Sequence, residues 1–94
     1  MPEFPIPLDA EVITTVHVRD SDDRVDYIEH DANGEWYFFG TVAVKDKREY
    51  VRVPLSFIVE RFPTVKDWAH IPRIHFAHHD PKTDSWVGPS ASDF

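Results

Sequence analysis

An Asn33-Gly34 pair lies between two segments rich in β-forming residues, and this pattern constrains the fold more than any other in the chain. Residues 24–30 lead into the pair, and the aromatic run at residues 36–39 follows it. Asn-Gly between such segments is typical of a two-residue hairpin turn of type I′. Both central residues of that turn need φ > 0, which Asn tolerates and Gly adopts freely. The pattern therefore predicts a type I′ β-hairpin at the centre of a sheet.

Strand patterns occur on both sides of this hairpin. Each segment is rich in β-branched or aromatic residues, or alternates between apolar and polar positions. They are residues 12–18, 50–53, 73–78 and 85–87, with residues 41–44 as an extension of the second hairpin arm. Together with the hairpin they predict about five or six strands.

A helix pattern begins after Pro54, a residue suited to the first turn of a helix. The next apolar positions follow i, i+3, i+4, i+7 spacing and form one stripe, and Pro63 ends the pattern. The stripe consists of Leu55, Ile58, Val59 and Phe62. Thr64 and Asp67 have the spacing of a capping box, which predicts a further helical turn around Trp68. The sequence therefore predicts an α+β fold, an antiparallel sheet with a short helix and a helical turn on one face. The helical stripe and Trp68 are expected to pack against the sheet. The expected partners are Val16, Val25, Phe38 and Phe76, or their neighbours one register away.

The length of 94 residues predicts a single domain over residues 1–94. Three prolines in residues 1–8 predict an extended N-terminal lead-in, because proline there disfavours a helix. Residues 88–94 have the composition of a flexible C-terminal tail.

The charge balance narrows the class of partner. With 17 acidic and 10 basic residues the formal net charge is −7. Binding to nucleic acid is not expected, since Lys and Arg drive it, whereas a basic protein partner fits this charge. The sequence has no cysteine, no apolar segment long enough to span a bilayer and no basic-then-apolar leader. We therefore expect a cytoplasmic protein with no membrane association and no cofactor.

Catalytic signatures are missing from the sequence, so no catalytic residue is predicted and an enzyme is the less favoured class. The six histidines nevertheless offer a metal-binding alternative. His75 and His79 share one side of a predicted strand but lie about 13 Å apart, at about 3.3 Å per residue. A metal site would need a ligand from another strand, such as His30. The second hypothesis is therefore a metal-binding domain or metal-dependent enzyme that uses His30, His75 and His79.

Aromatic residues on the predicted strands suggest a binding surface. Their side chains cannot all point inward if the strands alternate, so some rings are expected beside acidic side chains at the surface. Exposed aromatics ringed by charge are typical of protein interfaces. The predicted binding residues are Tyr27, Glu35, Tyr37 and Trp86, whereas burial is favoured for Trp36. The alternative is a sheet that is covered on both faces.

Two motifs of the hairpin, Val-x-Tyr-Ile at residues 25–28 and Asn-Gly-Glu-Trp-Tyr-Phe-Phe-Gly at residues 33–40, carry a family resemblance. The chain resembles a bacterial family of small proteins of unknown function whose members have a Trp-x-Phe-x-Gly core. In that family a strand, a helical segment with a proline and an aromatic strand follow, as residues 51–76 do here. Some members are thought to be immunity proteins that bind and neutralise a cognate toxin. The resemblance covers roughly residues 24–87 and supplies no catalytic residue.

The leading hypothesis is therefore a small acidic protein-binding module, an immunity-type inhibitor of a cognate protein. A third hypothesis is a homodimer formed through one sheet edge.

Overall fold

The computed structural model describes residues 4–20 and 23–91. In chain order the elements are β1 (Glu11–Thr15), α1 (Val16–Asp20), β2 (Val25–His30), β3 (Trp36–Gly40), a first 3₁₀ helix (Lys47–Glu49), β4 (Tyr50–Pro54), α2 (Leu55–Arg61), a second 3₁₀ helix (Pro63–Trp68), β5 (His75–Asp80) and β6 (Ser85–Ala91). The six strands form one sheet in the order β4-β1-β3-β2-β5-β6. β1 and β3 pair in parallel, and every other neighbouring pair is antiparallel. The predicted α+β fold is confirmed, with six strands in a sheet that is mostly antiparallel; the prediction did not include the parallel pair.

The hairpin of β2 and β3 lies at the centre of the sheet, but its turn differs from the prediction. Asp31 N donates to Glu35 O at 3.0 Å, and Gly34 N donates to Asp31 O at 3.1 Å. The Asp31 carboxylate accepts two more hydrogen bonds, from the backbone N–H groups of Asn33 and Glu35. Gly34 has a φ of 85°, whereas Asn33 is not among the residues with positive φ. The type I′ prediction is therefore wrong, because the Asp31 side chain organises a five-residue connection over residues 31–35.

The first strand is shorter than predicted. Residues 16–18, which were expected to continue it, belong to α1 instead. Thr15 Oγ1 accepts a hydrogen bond from Val18 N at 3.2 Å, an interaction that favours the start of a helix. Val18 is then fully buried in the core. The gain from this burial and this bond outweighs the β-propensity of the segment.

β3 ends at Gly40 rather than extending through residues 41–44. The buried carboxylate of Asp23 accepts hydrogen bonds from Thr41 Oγ1 at 2.6 Å and from Val42 N at 3.1 Å. A Cβ atom at Gly40 would lie 2.6 Å from the carbonyl oxygen of Arg24, so only glycine fits here. The chain after Gly40 is therefore bound to Asp23 instead of to a neighbouring strand.

The last strand is longer than predicted. Residues 88–91, assigned above to a flexible tail, form the second half of β6, where Ser90 pairs with Phe76 and Ala91 pairs with His75. That part of the tail prediction is wrong because these residues complete the pairing of β5. Residues 4–8 contain no helix or strand, in line with the predicted lead-in. Residues 1–3 and 92–94, the ends of the predicted lead-in and tail, lie outside the described residues.

The predicted capping box at Thr64 is not formed. The second 3₁₀ helix begins one residue earlier, at Pro63, and Phe62 before it provides no side-chain cap. Proline fixes φ near its helical value and can begin such a turn without a cap. A capping box exists instead at the first 3₁₀ helix, between Asp46 and Glu49.

The core lies between one side of the sheet, which we call the core face, and the helices. α2 buries three residues of the predicted stripe, Leu55, Ile58 and Val59, whereas Phe62 follows the end of α2 and is only partly buried. Trp36 is 1% exposed. The buried core residues are Val12, Val18, Val25, Ile28, Trp36, Phe38, Val53, Leu55, Ile58, Val59, Val65, Ile71 and Ala77. Of the expected sheet partners, Val25 and Phe38 belong to this cluster, whereas Val16 lies in α1 and Ala77 takes the place of Phe76. A register shift between Val25 and Tyr27 places both Val25 and Ile28 in this core.

Candidate functional site

The opposite side of the sheet presents a continuous set of aromatic residues. We call it the open face, and define it by the residues that alternate with the buried ones along the paired strands. They include Ile13, Tyr27, Glu29, Tyr37, Phe39, Tyr50, Arg52, Phe76 and His78. None of them belongs to the core cluster, and Tyr50 is 44% exposed. The open face is therefore the accessible aromatic surface of the described residues.

Four rings form a row across the open face. Tyr50 of β4 lies 5.5 Å from Phe39 of β3, measured between ring centroids. Phe39 lies 6.0 Å from Tyr27 of β2, and Tyr27 lies 5.6 Å from Phe76 of β5. Tyr37 joins the row beside Phe39 at 5.7 Å. Ring pairs at such distances stabilise one another, so the row is held in place by contacts among its own members.

Carboxylates border these rings. The Tyr27 hydroxyl donates to Glu29 at 2.6 Å, and the Tyr37 hydroxyl donates to Asp31 at 2.7 Å. Beside them Glu35 is paired with Arg52 at 3.4 Å. Three carboxylates thus face one guanidinium, which gives this border a net negative charge.

These hydrogen bonds set the ionisation of the groups involved. The bond to Asp31, followed by burial, raises the pKa of Tyr37 to about 12. Burial and the bond to Glu29 raise the pKa of Tyr27 as well. Burial alone would raise the pKa of Asp31, but the bonds from Tyr37 and from two backbone N–H groups hold it below its usual value. At neutral pH both phenols are therefore protonated donors, and Asp31 is an ionised acceptor.

The structure brings three of the four predicted binding residues together. Tyr27 and Tyr37 lie on the open face, and Glu35 lies at its border through Arg52. Trp86 lies elsewhere, 5.8 Å from Trp68 and 6.0 Å from His79 between ring centroids. It therefore packs towards the core face.

Sequence reasoning missed Phe39, Tyr50 and Phe76, which complete the ring row. Phe39 could have been found, since it is two residues after Tyr37 on the same strand and must share its side. Tyr50 and Phe76 come from β4 and β5. Their inclusion depends on strand order and register, which no local pattern encodes.

A cleft lies on the other side of the sheet from the open face. This cleft has a volume of about 320 Å³, and we call it the Trp86 cleft. Its lining residues come from β2, from the end of α2 and the turn after it, and from β5 and β6. They are Arg24, Val25, Asp26, Arg61, Phe62, Pro63, Thr64, His79 and Trp86.

The three histidines of the metal hypothesis do not converge. His30 and His75 are paired across β2 and β5, but each ring donates from Nδ1 to a backbone carbonyl, of Ile71 at 2.8 Å and of Arg73 at 2.9 Å. His79 lies further along β5, where its Nε2 is 3.0 Å from Asp84. Among residues 4–20 and 23–91, no three His, Asp or Glu side chains are grouped so that they could hold a metal ion. The geometry of the described residues gives the metal hypothesis no support.

Comparison of the chain with protein-family models, with curated proteins and with solved structures finds no match. No helix within the described part of the chain is long and apolar enough to cross a membrane. The function has therefore to be argued from the chemistry of the site.

Proposed function

We propose that this chain is a small acidic protein-binding module that docks a basic partner protein on the open face. The observation that carries the proposal is the row of Tyr50, Phe39, Tyr27 and Phe76, which lies outside the core cluster. Large aromatic rings are enriched at the centres of protein interfaces, where burying them against a partner supplies much of the binding energy. A docked partner would cover the outer edges of these rings.

The charges around the row favour a basic partner. Glu29, Asp31 and Glu35 border the rings, and Arg52 is paired with Glu35. The chain as a whole carries a formal net charge of −7, which also favours a cationic partner. Such complementarity accelerates association and selects against acidic partners, and it weakens as the salt concentration rises.

An inhibitory role fits this surface. Strands fix the backbone of the open face, and ring contacts and hydrogen bonds fix its side chains, so little conformational entropy would be lost on binding. Preorganisation of this kind supports tight association. Some members of the family that the sequence resembles are thought to be immunity proteins, which bind and neutralise a cognate toxin, and we propose the same role here.

Two matched charge reversals test the proposal. Glu35→Lys replaces a negative by a positive charge at the border of the open face, a change of +2, whereas Glu60→Lys makes the same change on the exposed side of α2. Each variant and the parent chain would be immobilised, and proteins retained from an extract of the native cells would be quantified by mass spectrometry. We expect the parent and Glu60→Lys to retain the same basic protein. Retention by Glu35→Lys should fall about tenfold or more, because like charges across an interface are strongly unfavourable.

Equal retention by the two variants would contradict the proposal that the partner docks on the open face. Recovery of an acidic partner would contradict the proposed preference for a basic protein. If the chain sediments as a dimer in which Tyr27 and Tyr37 are protected, the open face binds a second copy of this chain rather than a different protein.

A further inference from the structure

We propose that the Trp86 cleft is a second site, which binds a small flat anion, an aromatic ring bearing a carboxylate or a phosphate. This site does not depend on the proposed function, because the cleft and the open face lie on opposite sides of the sheet. It also gives a place to Trp86, the one predicted binding residue that the open face does not include.

The shape of the cleft suits a single ring. Apolar side chains form much of its lining, with Trp86 and Val25 on the sheet side and Phe62 and Pro63 on the side of α2. Its volume of about 320 Å³ is at the lower end of the range for small-molecule sites, about 300–1,000 Å³. Trp86 packs against Trp68, with ring centroids 5.8 Å apart. Such a cleft accommodates one aromatic ring with a polar substituent.

The charges of the cleft suit an anion. Arg24 and Arg61 contribute two guanidinium groups to the lining, and Asp26 contributes one carboxylate. Guanidinium groups bind carboxylate and phosphate through paired N–H donors.

The donors are arranged so that Arg24 can reach a ligand. Its Nε lies 3.0 Å from Asp26 Oδ1 in an ion pair, and its side chain is 58% exposed. Its Nη groups make no hydrogen bond within the described part of the chain. Arg61 is held in place, since it donates to the carbonyl oxygen of Arg19 at 3.2 Å and lies 5.5 Å from the Phe57 ring centroid.

The carboxylate of Asp26 does not prevent an anion from binding in the cleft. Its Oδ1 is approached both by Arg24 and by His79, whose Nδ1 lies 3.6 Å away. That Nδ1 is buried and has no hydrogen-bond partner among the described residues. The carboxylate is thus engaged with side chains of the cleft itself, and the Nη groups of Arg24 are the polar groups offered to a ligand.

Three isosteric probes separate charge from shape: benzoate, benzamide and benzamidine are flat rings of nearly the same size that carry negative, zero and positive charge. Phenyl phosphate distinguishes a phosphate from a carboxylate ligand. Binding would be followed by two-dimensional NMR of the intact chain through the indole N–H signals of its three tryptophans. We expect benzoate or phenyl phosphate at about 10 mM to shift the Trp86 signal. Benzamide should bind more weakly and benzamidine most weakly, while the signal of buried Trp36 stays in place.

Arg24→Gln supplies the matching variant. It should weaken benzoate binding about tenfold, to the level of benzamide, because the charge-assisted hydrogen bonds are lost. Arg48→Gln, which changes an exposed arginine within the first 3₁₀ helix, should leave the affinity unchanged. If Arg24→Gln disturbs the spectrum as a whole, Arg24→Lys keeps the charge and should give an intermediate loss.

Three results would overturn the proposal. Benzamidine could bind as tightly as benzoate, the probes could leave the Trp86 signal unshifted, or the Arg24 variants could bind benzoate like the parent. Each of them leaves the proposed docking on the open face untouched.

Discussion

At the scale of single residues, Asp23 shows how one carboxylate can define the end of a strand. In the sequence it belongs to an acidic segment that has the composition of a solvated turn. In the structure it is only 9% exposed and accepts hydrogen bonds from Arg24 N, Thr41 Oγ1 and Val42 N. Burial alone would raise its pKa, but these bonds together hold the pKa below the usual value for aspartate.

This lowered pKa predicts acid-sensitive stability. A carboxylate whose pKa is lower in the folded than in the unfolded chain stabilises the fold above its unfolded pKa, about 4. That contribution is lost as the pH falls through the lower, folded value. We expect Asp23→Asn to lower the free energy of unfolding by about 1–2 kcal/mol at pH 7, since it weakens hydrogen bonds to a charged group. The deficit relative to the parent should shrink below about pH 4. Urea denaturation at a series of pH values measures it.

Asp67→Asn removes an exposed carboxylate from the second 3₁₀ helix and serves as the control. It should change stability little at any of these pH values. A deficit of Asp23→Asn that is constant with pH would show that the carboxylate does not titrate as argued.

The candidate site was predictable residue by residue only where neighbours in sequence share a strand. Tyr27, Glu35 and Tyr37 follow from the hairpin, because alternation along β2 and β3 fixes which side chains share a face. Trp86 did not follow, since the residues that surround it come from α2 and from β5. A ring beside a turn carries no local signal of which side of the sheet it will reach.

At the scale of elements, strong periodicity predicted what formed, and side-chain hydrogen bonds decided the rest. The stripe of α2 and the two arms of the hairpin appear where the pattern places them. β1 stops early because Thr15 caps the helix that follows it. β6 extends to Ala91 because β5 offers it pairing partners. The parallel pairing of β1 and β3 depends on strand order, which local residue patterns do not encode.

The hairpin turn provides a prediction at this scale. Gly34 has a φ of 85°, a backbone conformation that is strained for a residue with a side chain. Asn33 is not among the residues with positive φ. We therefore expect Gly34→Ala to lower the free energy of unfolding by about 1–2 kcal/mol. Asn33→Ala should cost less than about 0.5 kcal/mol, since Asn33 contributes its backbone N–H to the turn. Thermal or urea denaturation of both variants gives the comparison. Similar losses for the two would favour the type I′ turn that the sequence alone predicts.

At the scale of the whole molecule, the two faces of the sheet differ in what their side chains contact. The core face packs against the helices and holds the fold together, with Trp36, Phe38 and Leu55 fully buried or nearly so. The open face carries rings and carboxylates that the core does not use. We expect residues of the open face to contribute less to stability than core residues of the same type, and this difference can be measured.

Two adjacent phenylalanines on β3 allow the stability contributions of the two faces to be compared. Phe38 is fully buried and faces the core, whereas its neighbour Phe39 lies in the ring row of the open face. Phe38→Ala should lower the free energy of unfolding by about 3–5 kcal/mol, the cost of a large cavity in a packed core. Phe39→Ala should cost about 1 kcal/mol, because ring contacts at a partly exposed surface are lost but no cavity forms. The Phe39 variant should stay folded and lose the retained partner, whereas equal destabilisation of both variants would show that the open face is part of the core.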